Sequence, residues 1–245
     1  MSIGEENGSG MQLEYLPVEV LQRKVESQIP KDIVTSGMPP EYIDTWRKNY
    51  AFLIATAISF RRLAQNPRDF FVGGSMCYWD KKSDQGDVAF DANFKHSPNQ
   101  LPPKMCAERR MLRQLHLGSL ISQKGEKQGQ ATLADMAEPK LDVVGLVVAS
   151  DKATTTRPGE EPEDAYKEKR SVLHPCGECL DLLSHDNLIK PWTRMVMINN
   201  SDRDHLVIED RSIGELLSEH GITQIPPQDY EKYIQKLIPD LKLFK

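Results

Sequence analysis

Four cysteines stand in this 245-residue chain, and three of them fall where sulfur chemistry is favoured. Cys176 and Cys179 belong to the run Pro175-Cys176-Gly177-Glu178-Cys179. Positions three apart on a helix share a face, so both sulfurs can reach one ion. Proline suits the first helical turn, and the free N–H groups and dipole of a helix start favour negative charge there. Thiolates, the form that binds metal, are therefore stabilised at such a place. Taken alone, a Cys-x-x-Cys pair fits redox chemistry as well as metal binding.

Cys106 tips the balance toward metal. It lies at the predicted start of another helix, in Met105-Cys106-Ala107-Glu108-Arg109. Three sulfurs at two helix starts give a zinc ion three protein ligands and leave a fourth position open, the mark of a catalytic site. Water held at that position has its pKa lowered to about 7. Glu108 has the chemistry to carry protons between such a water and a substrate nitrogen. Residues two apart on a regular helix point about 200° apart, so Cys106 and Glu108 converge only if the site sits over the helix end. A closed four-cysteine zinc site would need Cys77, but Cys77 falls in a hydrophobic run, where a small buried thiol is the usual role. His174, beside the second motif, reads as a loop histidine, because three sulfurs complete the protein's share.

These side chains need a scaffold that brings two helix starts together. The first forty residues hold a weak amphipathic segment at Val18–Val25 and a Pro/Gly cluster from Ile29 to Pro40, which reads as an arm. Trp46, Tyr50, Leu53, Ile54, Ala57, Ile58 and Arg61 follow helical spacing and predict a helix over 41–64, stopped by Pro67. Phe70 to Trp79 reads as a buried strand, Asp84 to Gly86 as a turn, and Val88 to Phe94 as the hairpin partner. A proline-rich loop, Ser97 to Pro103, leads to a helix over 106–117 that Gly118 ends. Ser122 to Glu138 is polar and reads as loop or short helix, and Leu141 to Ser150 is an apolar run of strand length. Asp151 to Arg170 is charged and holds Pro158 and Pro162, as an exposed insertion would. Pro175 opens a helix to Ser184; strands over 193–199 and 205–209, a helix over 212–220 closed by Gly221, and a terminal helix over 228–237 follow. The order predicts an α/β fold, a three-layer α/β/α sandwich around a mixed five-stranded sheet. The expected organisation is an arm over 1–40, a catalytic domain over 41–225 with insertions at 122–138 and 151–170, and a helical extension over 226–245.

Composition narrows the partners. With 31 basic against 36 acidic residues, the net charge is −5, which argues against a constitutive binder of duplex nucleic acid. No apolar run approaches the roughly 20 residues that cross a bilayer. The start, Met1 to Gly10, lacks the basic-then-apolar order of a signal peptide, so a cytoplasmic protein is expected. Trp79, Trp192 and Tyr78 read as core or interface aromatics, and the run from Glu160 to Arg170 as a solvated face.

The pair of motifs, Cys106-Ala107-Glu108 and Pro175-Cys176-Gly177-Glu178-Cys179, resembles the cytidine deaminase superfamily, whose signature is His-x-Glu with Pro-Cys-x-x-Cys, or three cysteines. Cysteine in the first ligand place is similar to the cytidine and blasticidin deaminase branch. The resemblance spans about 41–221. It implies Zn2+ on Cys106, Cys176 and Cys179, Glu108 as the catalytic proton shuttle, and hydrolytic release of ammonia from an amidine-like ring carbon. Phe70, in Phe70-Phe71-Val72-Gly73-Gly74, takes the place of an aromatic that packs on a pyrimidine. Asn93 falls where the family has a ribose-binding Asn, and Ala107 is implied to line the substrate. Arg109 is implied to donate to a zinc thiolate and so temper the charge of a three-sulfur site. Ser212 to Leu217 resembles the family's closing helix. The implied partners are a small-molecule substrate and further copies of the chain, as a homodimer or homotetramer.

Departures from the family pattern bear on the substrate. Lys95 stands in the place of the ribose-binding glutamate and His96 in that of the next Asn. A lysine there suits a phosphate, carboxylate or other acidic group. The second motif continues as Leu180-Asp181 where the family often has Arg-Gln. The expected function is a zinc-dependent deaminase of a small aminopyrimidine nucleoside or related heterocycle. The alternatives are a catalytically silent zinc module serving in binding or assembly, and a nucleic-acid editing deaminase. The intact Glu108 weighs against the first; the acidic balance and lack of a basic aromatic stripe weigh against the second.

Overall fold

The computed structural model describes residues 13–64, 71–93, 105–126, 140–151, 172–202, 204–224, 233–234 and 237–238. Phe70, Lys95, His96, the loop 97–103, most of the first expected insertion and nearly all of the second lie outside them, as does much of the expected terminal helix. A 3-10 turn, Leu13–Tyr15, and helix α1, Val18–Glu26, precede helix α2, Pro40–Phe60. Pro40 opens α2 where its missing N–H costs nothing. Trp46, Tyr50, Leu53, Ile54, Ala57 and Ile58 all turn inward from it.

Strands β1, Val72–Asp80, and β2, Gln85–Ala92, form an antiparallel hairpin. Asp84 turns the chain at φ 55°, a left-handed conformation that Asp tolerates. Helix α3, Ala107–Glu126, leads to β3, Leu141–Ser150, and then to helix α4, Gly177–His185. Strands β4, Arg194–Asn199, and β5, Val207–Ser212, and helix α5, Ile213–Glu219, complete the described elements. Ser212 and Glu215 form a reciprocal capping box at the start of α5.

The sheet order is β2-β1-β3-β4-β5. Strand β3 runs antiparallel to β1 and parallel to β4, while β4 and β5 are antiparallel. The sheet is therefore mixed, and its inner strands β1, β3 and β4 are covered on both faces. One face buries Val144, Val147, Ala149, Val196 and Ile198 against α1 and α2. The other buries Val143, Leu146, Val148, Met195 and Met197 against α3, α4 and α5. The fold is the expected α/β/α sandwich. Leu13, Leu21, Val25 and Met38 join the first cluster, and Tyr233, Ile234, Leu237 and Ile238 join the second. Among the described residues, no helix is long and apolar enough to cross a membrane.

Two local features differ from simple periodicity. Cys77 faces Gly145 while Tyr78 faces Val143, so Val144 is the extra residue of a bulge. Gly145 there lies under Trp46, and an added Cβ would sit 2.2 Å from its ring. Gly118, expected to end α3, lies inside it, because the helix continues to Glu126. An exposed helical glycine costs only about 1 kcal/mol relative to alanine, too little to stop a helix whose inner face is packed.

Candidate metal centre

Cys106 and Cys176 occupy equivalent places. Each stands just before a helix, and each carbonyl accepts the N–H four residues on: Arg110 to Cys106 at 3.1 Å and Leu180 to Cys176 at 2.9 Å. Each sulfur thus sits over a helix start, on extended rather than helical backbone in the case of Cys176, with φ −69° and ψ 163°. Because Cys106 precedes the first residue of α3, the 200° separation that would divide it from Glu108 on a regular helix does not apply. β1 reaches this helix start closely. A Cβ added at Gly74 would meet the Ala107 methyl at 3.1 Å and the Met111 side chain at 2.7 Å.

The three sulfurs converge. Cys106 and Cys176 Sγ are 3.7 Å apart, and Cys176 and Cys179 Sγ are 3.4 Å apart. All three lie within 4.8 Å of one another, and all four cysteines of the chain are free thiols. A disulfide would need about 2.0 Å. Tetrahedral zinc, with Zn–S near 2.3 Å, sets its sulfurs about 3.8 Å apart. The trio fits the metal spacing, with an all-sulfur donor set that suits zinc. Cys77 lies in the cluster with α1 and α2, away from the α3 and α4 face, so a four-cysteine site is excluded.

The charges of the trio also call for a cation. Hydrogen bonds shared with Cys106 and Cys179, and others from the backbone N–H groups of Cys179 and Glu178, draw the Cys176 thiol down to about 2. Its contact with Cys176 pushes Cys106 up to about 12, aided by burial and by the Glu108 carboxylate. Cys179 is raised by its two sulfur neighbours, by burial and again by Glu108. One sulfur holds the negative charge and suppresses ionisation of the others. Three thiolates can coexist there only around a positive ion.

Glu108 is 5% exposed in the first turn of α3, and its charge acts on both Cys106 and Cys179. Ala107 is fully buried beside it. Arg109 Nη1 donates to Glu178 Oε2 at 3.0 Å, joining the two cysteine motifs directly. Its Nε is buried with no partner among the described residues. Asn93 is also buried; its Oδ1 accepts the Val72 N–H at 3.0 Å, and its own N–H donates to the Val72 carbonyl at 2.8 Å. His174 Nε2 lies 3.5 Å from Glu209 Oε2 on β5, outside the sulfur cluster. Trp79 and Trp192 pack on Tyr42, as core aromatics do.

Two buried groupings join partners that the sequence pattern did not mark. Asp186, just after α4, lies 2.9 Å from His116 Nε2 of α3 and accepts the Tyr233 hydroxyl at 2.5 Å. It ties together both cysteine-bearing helices and the C-terminal segment. Arg61, at the end of α2, pairs with Asp151 and Glu14. Each partner is remote in the chain, so spacing gives no sign of either.

No protein-family model matches this chain, and no curated protein matches it. Among solved structures, the chain is similar to cytidine deaminase from Burkholderia pseudomallei, at 19% identity and TM-score 0.40, over 67% of this chain and 92% of that one. It is also similar to cytidine deaminase from Mycobacterium leprae, at 17% identity and TM-score 0.35, over 69% of this chain and 97% of that one.

Proposed function

We propose that the chain is a zinc-dependent hydrolytic deaminase of the cytidine deaminase superfamily, acting on a small aminopyrimidine nucleoside or related heterocycle. The observation that carries this reading is the trio Cys106, Cys176 and Cys179 at two helix starts with buried Glu108 beside it. Cys106, Cys176 and Cys179 would hold a zinc ion, which would supply Lewis acidity and make water acidic enough to react near neutrality. The reaction consumes one water, exchanges an exocyclic amine for oxygen and releases ammonia. Glu108 accepts a proton from the water, delivers it to the ring nitrogen, and then carries a proton to the departing amine. Burial keeps bulk water from competing for that carboxylate. Ala107, next to Glu108, belongs to this reading as a substrate contact. Asn93 and, outside the described residues, Phe70 and Lys95 belong to the same reading as substrate contacts. A net charge of −5 favours a free small molecule over a polymer, and a homo-oligomer in the cytoplasm is part of the proposal.

The test is metal analysis of the purified protein together with ammonia release from cytosine, adenine and guanine compounds, free and as single-stranded DNA and RNA. Zinc near one per chain and release from a free nucleoside are expected. Glu108→Ala is expected to keep its metal and lose about 10²-fold or more in rate. Protein free of zinc, or ammonia release that survives Glu108→Ala, would sink the mechanism.

A further inference from the structure

Arg61 closes α2 with its side chain only 3% exposed. A guanidinium so buried must have its donors placed. Nη2 lies 2.7 Å from Asp151 Oδ2, Nη1 lies 3.7 Å from Glu14 Oε2, and Nε donates to the Phe71 carbonyl at 3.3 Å. These partners come from three separate parts of the chain: the N-terminal segment, the start of β1 and the end of β3. Asp151 is also where β3 gives way to the segment that runs to Val172.

The start of β1 is thereby gripped from two sides. Arg61 holds Phe71, and Asn93 holds both backbone groups of the next residue, Val72. Val72 in turn packs in the buried cluster that contains Ala107 and Met111 of α3. A shift at Phe71 is therefore passed through Val72 to Asn93, which the deaminase reading makes a substrate contact. We infer that Arg61 is a positioning residue for substrate, acting through Phe71 and Asp151 to fix the corner between β1, β3 and the N-terminal segment. The inference rests on the deaminase reading. It needs arginine in particular: one planar fork serves a carbonyl and two carboxylates at once, which a lysine's single point charge does not.

The experiment measures ammonia release from cytidine, or from whichever nucleoside of the panel the wild-type protein turns over fastest, with Arg61→Lys, Asp151→Asn and Leu21→Ala. Arg61→Lys and Asp151→Asn are expected to keep their zinc and to raise KM roughly 10-fold with kcat within about 3-fold, the pattern of misplaced substrate contacts. Leu21→Ala removes a buried side chain of α1; it is expected to lower the melting temperature and leave KM alone. If Arg61→Lys fails to fold, Asp151→Asn, whose side chain is 37% exposed, carries the test. Lower melting temperatures with unchanged KM would overturn the inference and reduce the cluster to a structural ion group. Wild-type protein that releases ammonia from nothing in the panel would overturn the deaminase reading itself, and this inference with it.

Discussion

Arg109 Nη1 and Glu178 Oε2 lie 3.0 Å apart, although the arginine follows one cysteine motif and the glutamate sits inside the other. The pair holds the first turns of α3 and α4 together, beside the sulfurs they carry. Glu178 is 79% exposed and Arg109 only 13%, so the solvent-screened pair is worth no more than about 1 kcal/mol. Glu178→Ala should weaken zinc binding by at most about 5-fold in a chelator competition. Arg109→Ala should weaken it more, because it also empties a largely buried position in the first turn of α3. Equal losses in the two variants would show that the pair alone matters.

The four thiols should differ sharply toward alkylation in metal-free protein. Cys176 is exposed, and its sulfur and backbone neighbours hold its thiol well below the usual range, which favours the reactive thiolate. Cys77 is buried, and burial together with Asp87 pushes it up to about 12. One equivalent of maleimide, followed by peptide mapping, should mark Cys176 first. Zinc should protect it, and Cys77 should react only after denaturation. Labelling of Cys77 in folded protein would contradict the core assignment.

Asp186 gives the acid limb of stability. Burial by itself would raise its carboxyl, but His116, the Tyr233 hydroxyl and the Leu188 N–H outweigh that and hold it below the usual range. A lowered folded value means the contribution is present above the unfolded value of about 3.9 and is lost as the pH falls from there through the folded value. Melting temperature should therefore drop steeply below about pH 4. Asp186→Asn should melt lower at pH 7, by the equivalent of about 3–5 kcal/mol for a broken buried pair, and its curve should be flatter in acid. Parallel curves for the two proteins would rule the carboxylate out as the source.

Gly145→Ala tests how tightly α2 lies on the sheet. The new methyl would sit 2.2 Å from Trp46 Cζ3, and Trp46 is fully buried with its ring set edge-on to Tyr50 at 5.2 Å. Overpacking of this kind costs about 1–3 kcal/mol, visible as a lowered melting temperature. Combining it with Trp46→Leu should recover part of the loss relative to the sum of the single changes. Strict additivity would mean that the two residues do not collide.

Some elements were written plainly in the chain and others were not. The apolar run Leu141 to Ser150 coincides with β3 from end to end, because charge bounds it on both sides. The helical spacing from Trp46 to Ile58 falls within α2 for the same kind of reason. The sulfur trio was legible because both motifs carry helix-start residues. By contrast β5 begins at Val207 rather than His205 and runs on through Glu209, Asp210 and Arg211. A half-exposed edge strand can carry such charges, so its pattern looks like a turn. Arg61 keeps the helical spacing of the run from Trp46 to Ile58 and is buried, while Arg62 falls off it and is exposed. Spacing gives the face but not the partner, because Asp151 stands 90 positions away. The partners of Arg109, His116 and Asn93 were hidden likewise, since no local period records a contact made between separate elements.

The sulfurs of Cys106 and Cys176 meet across 70 positions of chain. A bridge at that separation acts on the unfolded ensemble as well as the folded one. Closing a loop costs entropy that grows only with the logarithm of its length, about 0.6 kcal/mol for each doubling. The long strand β3 anchors the middle of this loop in the sheet, so the stretches before and after it are separate closures with fixed ends. By that logarithm, doubling the length of chain on either side of β3 costs little more in closure entropy than the original length did. The spacing of the two sulfur-bearing helix starts is thus set by the sheet between them rather than by how many residues separate them in the chain.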